Sequence, residues 1–455
     1  NGDLVAVTSP PVTGTSHAND FPVGKTTVFS YTSGFTDVRL NHNLISFVSP
    51  NEVDDGSSTP RTINTYGTQG FAFDRVIHQS WGGGRANASG IPAGGHVTAV
   101  YTTAIDAQAP AGAASKVTVT DRGDNLVEFW YDGAGHVLRE QRMVGGEVLT
   151  VDQSYNEDGQ LARIALPLGN SVEFAYNEGA ADHRAQANLL EMRRIADAGR
   201  GCDGAGGAPC ADLVTTFAYE PAFQQLRAVT DTLGNVTAHT YDARGNRIRT
   251  DYPDVTVGPA APQTASQSWT YNVHGQPLTF TDPEGNVTCY TYYPSGPAQG
   301  YRSRIIRDCG GADLTTEYAY DALGNVNVIT DARGIRTEYE VNALHQVVKE
   351  TRRADIPDAA SYASRLTQYD DVRRKDVMRE GVMRTTSTPT ALDYERLYWY
   401  DANDNVVRVD VENVQPGLDA DFHPTGLHSR DAINPWFTTG YDYDLLDNVV
   451  TTTRE

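Results

Sequence analysis

The chain has 455 residues, a formal net charge of −22 and a hydrophobic content of 39%. A surface this acidic repels nucleic-acid phosphates and anionic membranes, so we expect no nucleic-acid partner. The sequence contains no apolar run of about 18 residues, so we expect no membrane span.

The first 115 residues hold weak strand patterns separated by long loops rich in glycine, proline and serine, such as Ser49 to Pro60. Ser16, His17 and Asp20 lie close together here, but a catalytic triad requires a geometry that proximity in sequence does not supply. The common catalytic and nucleotide-binding motifs are missing from the whole sequence. We therefore expect neither enzymatic activity nor a bound cofactor.

From residue 116 onward the motif Tyr-Asp-x-x-Gly-Asn recurs. Its aspartate can bond to the backbone two residues on, and its glycine accepts a positive φ at little cost, so each copy predicts a tight hairpin turn. The complete copies supply the predicted turn residues Asp242, Gly245 and Asn246, and Asp321, Gly324 and Asn325. Weaker copies begin at Tyr131, Tyr155, Tyr271, Tyr400 and Tyr443.

A second motif, Thr-Asp-x-x-Gly, alternates with the first. It predicts turns at Asp231 and Gly234, at Asp282 and Gly285, and at Asp331 and Gly334. Between the turns, polar and apolar residues alternate, as they do around Val407, Val409 and Val411, and this period of two indicates half-buried strands.

Each repeat of about 20 residues therefore contains two strands and two turns. A lone hairpin is only marginally stable in water, so successive hairpins must pair into one long antiparallel sheet. Because sheets twist, such a sheet must coil or close. Tyrosine outnumbers phenylalanine 24 to 13, which suits strands that pack their rings and keep the hydroxyl in solvent.

The interleaving of these two motifs resembles the RHS-repeat, or YD-repeat, family. The resemblance is clear over residues 116–455, which form the repeat array, and extends to residues 1–115 as divergent repeats with long loops. It implies an all-β fold, a coiled or spiral antiparallel sheet of stacked hairpins that forms part of a hollow shell. In bacterial members such shells enclose a toxin or effector; in the teneurins a similar shell supports cell adhesion.

The resemblance implies a non-catalytic wall segment of a large secreted or cell-surface bacterial protein, which encloses or displays another part of its own polypeptide. The alternative is an extracellular adhesion or carbohydrate-binding module that contacts a glycan or cell-surface partner through rim loops. Insertions at residues 180–187, 253–266, 357–364 and 416–435 would carry such recognition. The chain begins without methionine and ends just after a repeat, so we expect a segment of a longer protein.

The four cysteines form two close pairs, Cys202 with Cys210 and Cys289 with Cys309. Each pair flanks a stretch rich in turn residues, so we predict two disulfides that staple inserted loops, as is common in oxidising compartments. Four reduced thiols are the alternative.

The sequence also contains one possible metal site and two possible helices. Asp419, His423 and His428 do not match zinc or calcium motifs, so we expect no metal. Residues 188–196 have helical spacing but are predicted as a strand because of their context, and residues 358–366 are predicted as a short helix.

Overall fold

The computed structural model describes residues 2–82, 94–197, 210–255, 263–354, 392–418, 424–430 and 433–455. These residues are almost entirely β, with a single α-helix, α1 (Pro50–Asp54), and short 3-10 turns at Val38–Leu40, Gly70–Ala72 and His183–Ala185. The predicted all-β class is confirmed. No helix in the described part of the chain is long and apolar enough to cross a membrane.

The described strands fall into three stretches. The first is β1 (Ala6–Thr8), β2 (Thr26–Tyr31), β3 (Leu44–Val48), β4 (Thr62–Tyr66), β5 (Val76–Trp81) and β6 (Gly95–Thr102). The second is β7 (Ser115–Thr120), β8 (Leu126–Tyr131), β9 (Val137–Val144), β10 (Glu147–Tyr155), β11 (Leu161–Ala165), β12 (Ser171–Tyr176), β13 (Leu189–Ile195), β14 (Leu213–Tyr219), β15 (Leu226–Thr230), β16 (Val236–Tyr241), β17 (Arg247–Val255), β18 (Gln263–Tyr271), β19 (Pro277–Thr281) and β20 (Val287–Tyr292). The third is β21 (Arg302–Arg307), β22 (Leu314–Tyr320), β23 (Val326–Thr330), β24 (Ile335–Val341), β25 (Val347–Ala354), β26 (Leu392–Tyr400), β27 (Val406–Glu412), β28 (Val414–Leu418), β29 (Pro424–Arg430), β30 (Trp436–Tyr443) and β31 (Val449–Arg454).

Neighbouring strands pair antiparallel in chain order, from β1 to β4, from β6 to β20 and from β21 to β27. Strand β27 then pairs with β30, and β30 with β31, while β28 and β29 form a separate hairpin. Apart from that hairpin, the strands belong to one sheet of 29 strands. The predicted long antiparallel sheet is confirmed.

Contacts divide the chain into two compact units. Unit 1 contains residues 1–64, 80–95 and 289–455, and unit 2 contains residues 65–79 and 96–288. The division at residue 115 rests on the change in sequence pattern and stays a prediction.

A β-bulge accompanies the tyrosine that precedes each Tyr-Asp turn. The strand register shifts between Thr240 and Tyr241, and likewise between Ala319 and Tyr320. The same shift occurs at Tyr131, Tyr155, Tyr176, Tyr219, Tyr271, Tyr400 and Tyr443. A bulge increases the local right-handed twist, so the sheet should twist more strongly at each of these tyrosines.

The two faces of the array differ in chemistry. The face that carries the Tyr-Asp tyrosines also packs Trp269 against Phe280, with ring centroids 5.5 Å apart. The opposite face carries most of the ion pairs between strands, and Arg396–Glu350 is an exception on the tyrosine face, beside Tyr398. In unit 2 these are Arg139–Asp152, Arg163–Glu173, Arg193–Glu191 and Arg249–Asp251. In unit 1 they are Arg304–Glu317, Arg336–Glu338, Lys349–Glu395 and Arg408–Asp410.

Strand β27 departs from the alternation in its sequence. The alternation predicts that its valines form the half-buried face, yet Asp410 is only 2% exposed. The Asp410 carboxylate accepts hydrogen bonds from the Arg408 guanidinium, at 2.7 and 2.6 Å, and from Thr438 Oγ1 at 2.9 Å. A buried charge is tolerated when it is paired and hydrogen-bonded in this way.

Four local predictions concern loops and possible helices. Residues 188–196 contain β13, as predicted. The insertion placed at 253–266 is shorter, because β17 continues to Val255 and β18 begins at Gln263. The loop at 49–60 contains α1, whose first residue is proline, a residue favoured at that position. The insertion at 357–364 and the helix at 358–366 lie outside the described residues.

Candidate functional site

Each Tyr-Asp turn satisfies its own polar groups. In the turn after β16, Asp242 Oδ1 accepts the backbone N–H of Arg244 at 2.8 Å and of Asn246 at 2.9 Å. Asp242 Oδ2 accepts the Asn246 side-chain amide at 2.9 Å, and Gly245 has a φ of +84°. The hydrogen bond from the Asn246 amide lowers the pKa of Asp242. The aspartate, glycine and asparagine of the motif thus have distinct geometric tasks.

The other turn residues singled out in the sequence have matching geometry. Asp321 accepts from the Asn325 backbone at 2.9 Å and from its side chain at 2.8 Å, and Gly324 has a φ of +87°. The Thr-Asp turns repeat this, with Asp282 bonded to Asn286, Asp331 bonded to the Ile335 backbone, and positive φ at Gly285 and Gly334.

The tyrosine that precedes most of these turns forms a connection that the sequence pattern does not predict. Tyr241 Oη donates to the backbone carbonyl of Leu226 at 2.6 Å, and Leu226 is the first residue of β15. Six further tyrosines donate to the first residue of an earlier strand in the same way: Tyr155 to Val137, Tyr176 to Leu161, Tyr271 to Arg247, Tyr320 to Arg302, Tyr400 to Val347 and Tyr443 to Val406. We call this series the tyrosine ladder.

In the ladder, every acceptor residue follows the previous turn on the same edge of the sheet. The hydroxyl therefore ties one turn to the next, across the hairpin between them. Burial raises the pKa of these phenols, as it does for Tyr241. The expectation that tyrosine hydroxyls remain in solvent does not hold for the ladder tyrosines, because a backbone carbonyl lies within reach of each of these rings. The recurrent tyrosine before the aspartate is the signal in the sequence that could have indicated this contact.

The histidine and serine positions noted in the sequence do not assemble a catalytic group. His17 Nε2 lies 2.9 Å from the Tyr398 carbonyl oxygen, and Asp20 accepts from the backbone of Gly14 and Thr15. His17 and Asp20 are thus engaged with separate partners, and Ser16 donates its backbone N–H to Glu340 at 3.0 Å. The described residues contain no group of three or more metal-ligating side chains. Asp419 and His423 lie outside the described residues, and His428 is in β29.

A disulfide joins Cys289 of β20 to Cys309, with Cα atoms 5.8 Å apart. It staples the turn after β21 to β20, which is the arrangement predicted for this pair. The other predicted pair includes Cys202, which lies outside the described residues, so the pairing of Cys202 with Cys210 stays a prediction.

The N-terminal part of unit 1 docks on the Tyr-Asp turn after β26. Lys25, whose side chain is 3% exposed, donates from Nζ to the Asp401 carbonyl at 2.9 Å and to Asp404 Oδ1 at 2.6 Å. Asn51 donates from its side chain to Asp401 Oδ2 at 2.8 Å and accepts the Ala402 backbone N–H at 2.8 Å. The turn is thus bonded from two sides.

The next turn on this edge, between β30 and β31, has a comparable partner. Arg61 donates from one guanidinium nitrogen to Asp447 Oδ2 and from the other to the Leu446 carbonyl at 3.1 Å. Asp447 Oδ1 also accepts the side-chain amides of Asn403 and Asn405, at 3.0 and 2.9 Å. Asp447 therefore links this turn to the preceding turn and to Arg61.

The same N-terminal part also bonds to the end of β26, beyond Leu397, where the pairing of β26 with β25 stops. Asn19 Nδ2 donates to the Tyr400 carbonyl at 3.0 Å, and Asn19 Oδ1 accepts the Tyr400 N–H at 3.0 Å. The His17 ring packs edge-on against Trp399, with centroids 4.7 Å apart. One side-chain amide thus reproduces the paired hydrogen bonds of a β-bridge.

Comparison with known protein families identifies the repeat. Residues 221–254, which include the turn at Asp242, match the family model described as RHS Repeat. The resemblance to the RHS/YD-repeat family is confirmed. No curated protein matches the chain.

Solved structures share the fold of this chain. The whole chain aligns with the crystal structure of TcdB2-TccC3 without its hypervariable C-terminal region, with a TM-score of 0.59 and 15% identity, and covers 19% of that chain. The structure of the Photorhabdus luminescens Tc holotoxin pore with the mutation TccC3-D651A gives a TM-score of 0.58, 14% identity and coverage of 100% and 19%. The crystal structure of TcdB2-TccC3-Cdc42 gives a TM-score of 0.57, 15% identity and coverage of 97% and 19%. The chain thus spans about a fifth of the length of these proteins.

Proposed function

We propose that this chain is a non-catalytic wall segment of a larger bacterial RHS-repeat protein, secreted or held at the cell surface, which encloses or displays a toxin or effector segment of its own polypeptide. The observation that carries the proposal is the alignment of the whole repeat array with chains of Tc toxin structures. Those chains are about five times longer, which leaves room for a segment other than wall.

The internal bonding of the array supports a mechanical role. Turn aspartates and ladder tyrosines direct their polar groups to neighbouring backbone, as at Asp242 and Tyr241. The disulfide between Cys289 and Cys309 suits an oxidising compartment outside the cytoplasm. The wall of a shell requires continuous strand pairing and closed loops rather than a reactive pocket. The turn and ladder hydrogen bonds support the pairing, and the disulfide closes a loop.

The test uses the natural polypeptide that carries this chain, isolated from its host with an antibody against the repeats. We expect it in the medium or at the cell surface, longer than this chain, with a segment unlike the repeats that resists protease until the wall unfolds. A natural polypeptide that carries no further segment, or one whose further segment is cleaved at once, contradicts enclosure.

Two variants of that polypeptide provide a matched control. Gly324 and Gly285 have φ values of +87° and +88°, but a Cβ at Gly324 would lie 2.5 Å from Tyr301 Oη, whereas a Cβ at Gly285 meets nothing within 4 Å. Gly324→Ala should therefore weaken the wall and expose the enclosed segment to protease more than Gly285→Ala does. Equal protection in both variants would show that the wall is not what shields the segment.

The adhesion alternative predicts a different outcome from the same preparation. A glycan array on which the protein binds, with binding lost when residues 416–435 are deleted, would favour a carbohydrate-binding module. The wall proposal expects no such loss.

A further inference from the structure

Three turns of the array begin with the same residues, Tyr-Asp-Ala, yet their alanines differ in exposure. Ala243 and Ala322 are exposed. Ala402 is only 6% exposed, and its backbone N–H donates to Asn51 Oδ1. The turn backbones are alike, so the difference arises from what lies on the third turn, which is the N-terminal part of unit 1.

The two docked turns also depart from the motif at the same position. Asp404 and Asp447 replace the glycine, and their φ values are +72° and +62°, a region that side chains other than glycine enter at a cost. Their carboxylates are the groups that bind Lys25 and Arg61. At both positions the strained residue is therefore the one that supplies the contact.

We propose that residues 14–61 form a strap that recognises Tyr-Asp turns in which aspartate replaces glycine, and that this recognition holds the strap on those turns. The chemistry of recognition has two parts. A cation of the strap, Lys25 or Arg61, binds the substituted aspartate. Asn51 binds the Asp401 carboxylate and the backbone N–H of Ala402. Complete copies of the motif have the same two groups.

The strap is distinct from the strands that it touches. Its contacts with the docked turns join residues far apart in the chain, for example 351 positions between Asn51 and Ala402. It contacts them mainly through side chains, to which the backbone N–H of Asn51 adds a bond to Asn403 Oδ1, and Asn19 bonds to the Tyr400 backbone at the end of β26. The strap can therefore leave the two turns without breaking the hydrogen bonds of the hairpins themselves, which makes it a releasable contact.

Replacing the aspartate of a docked turn with the glycine of the motif should lower the stability of the protein, although a return to the motif residue usually raises it. Asp404→Gly and Asp447→Gly restore the motif and remove the φ strain, so a turn that served only as a turn would become more stable. If the aspartates serve the strap, both substitutions should instead lower the Tm. The chain offers a matched control in Asp124, which is exposed, has a φ of +59° and occupies the same position of the turn Asp121 to Asn125.

The measurement is the Tm of the full chain for the three glycine variants, together with hydrogen exchange of the turn amides. We expect Asp124→Gly to leave the Tm unchanged or to raise it, and Asp404→Gly and Asp447→Gly to lower it. Exchange in a peptide spanning residues 400–405 should accelerate by about tenfold, because the buried Lys25 ammonium loses one of its two partners, while the Asp404 side chain is itself 61% exposed. The peptide spanning residues 241–246 should not change, because no strap covers that turn.

A further variant separates the strap from a general loss of folding. Lys25→Met should accelerate exchange at residues 400–405 while exchange in the β15–β16 hairpin stays as in the unaltered chain. Combining it with Asp404→Gly should give less than the sum of the two effects, since both remove the Lys25–Asp404 contact, although Asp404→Gly also removes the hydrogen bond that Asp404 accepts from Gln346 at 2.8 Å. The proposal would be overturned if Asp404→Gly and Asp447→Gly changed the Tm in the same way as Asp124→Gly. It would also be overturned if hydrogen exchange at residues 400–405 were unchanged in Lys25→Met.

Discussion

The tyrosine ladder makes a prediction about a single oxygen atom. Tyr241→Phe removes the hydroxyl that donates to the Leu226 carbonyl at 2.6 Å and leaves the ring in place. The backbone and the aromatic packing are retained, so any loss of stability belongs to that hydrogen bond. If the ladder ties consecutive turns together, the loss should concentrate at the start of β15 and in the turn before it.

The size of the effect follows from the bond and its surroundings. A typical intramolecular hydrogen bond contributes about 0.5–1.5 kcal/mol, and a buried acceptor left without its donor costs about 1–3 kcal/mol. Tyr241 is half-buried, and water can reach part of the vacated space, so we expect a loss of about 1–2 kcal/mol in the free energy of unfolding. Tyr320→Phe lies in unit 1 and shares no partner with Tyr241, so the two losses should add.

The assay is equilibrium unfolding in urea, with hydrogen exchange to locate the change. Tyr131 provides the control, because it precedes a Tyr-Asp turn and a bulge like the others but its hydroxyl has no hydrogen-bond partner among the described residues. Tyr131→Phe should change the free energy of unfolding by less than about 0.5 kcal/mol. Equal losses for Tyr131→Phe and Tyr241→Phe, or unchanged exchange around Leu226, would refute the ladder as a stabilising contact.

Four further outcomes follow from the turns and the disulfide. Gly324→Ala should destabilise more than Gly285→Ala, because only its Cβ meets Tyr301; equal melting temperatures would contradict this. Burial raises the pKa of the ladder tyrosines above the ordinary 10.0, so their contribution is complete below pH 10.0 and is lost as the pH rises through the folded-state pKa. Melting temperatures measured against pH should therefore fall on the alkaline side. Hydrogen bonds from Asn246 lower the pKa of Asp242 below 3.8, so its contribution is present above pH 3.8 and is lost on further acidification; Asp242→Asn should flatten the acid limb of the same curve. Cys289→Ser opens a loop of 20 residues and should cost about 3 kcal/mol, as should a reductant on the unaltered chain.

The sequence was enough to predict the sheet, because its information is local and repeated. Asp242, Gly245 and Asn246 lie within five residues of one another, and each performs a task that its side chain dictates in isolation. The alternation between turns sets which face each strand residue occupies. Repetition then fixes the pairing, since consecutive hairpins have no other neighbours.

The sequence could not predict the contacts that join distant parts of the chain. Nothing in the stretch around Lys25 or Arg61 indicates that the partners lie near residues 404 and 447. The burial of Asp410 was missed for the same reason, since alternation alone assigns the valines of β27 to the inner face. Weak copies of the motif are the one available signal, and by themselves they indicate only that the pattern is lost.

The weak copies of the motif become informative about distant contacts once the contacts of the strap are known. A residue other than glycine is strained at positive φ, and a contact beyond the turn can offset part of that cost. Asp404 and Asp447 are strained at positive φ and bind cations of the strap. His345, in the glycine position of the turn before them, has a φ of +63° and contacts Asn325. At these three positions the departure from glycine coincides with a contact beyond the hairpin, whereas Asp124, at the same position of its turn with a φ of +59°, is exposed and serves as the comparison. The sequences of other repeat arrays can be searched for both kinds of position.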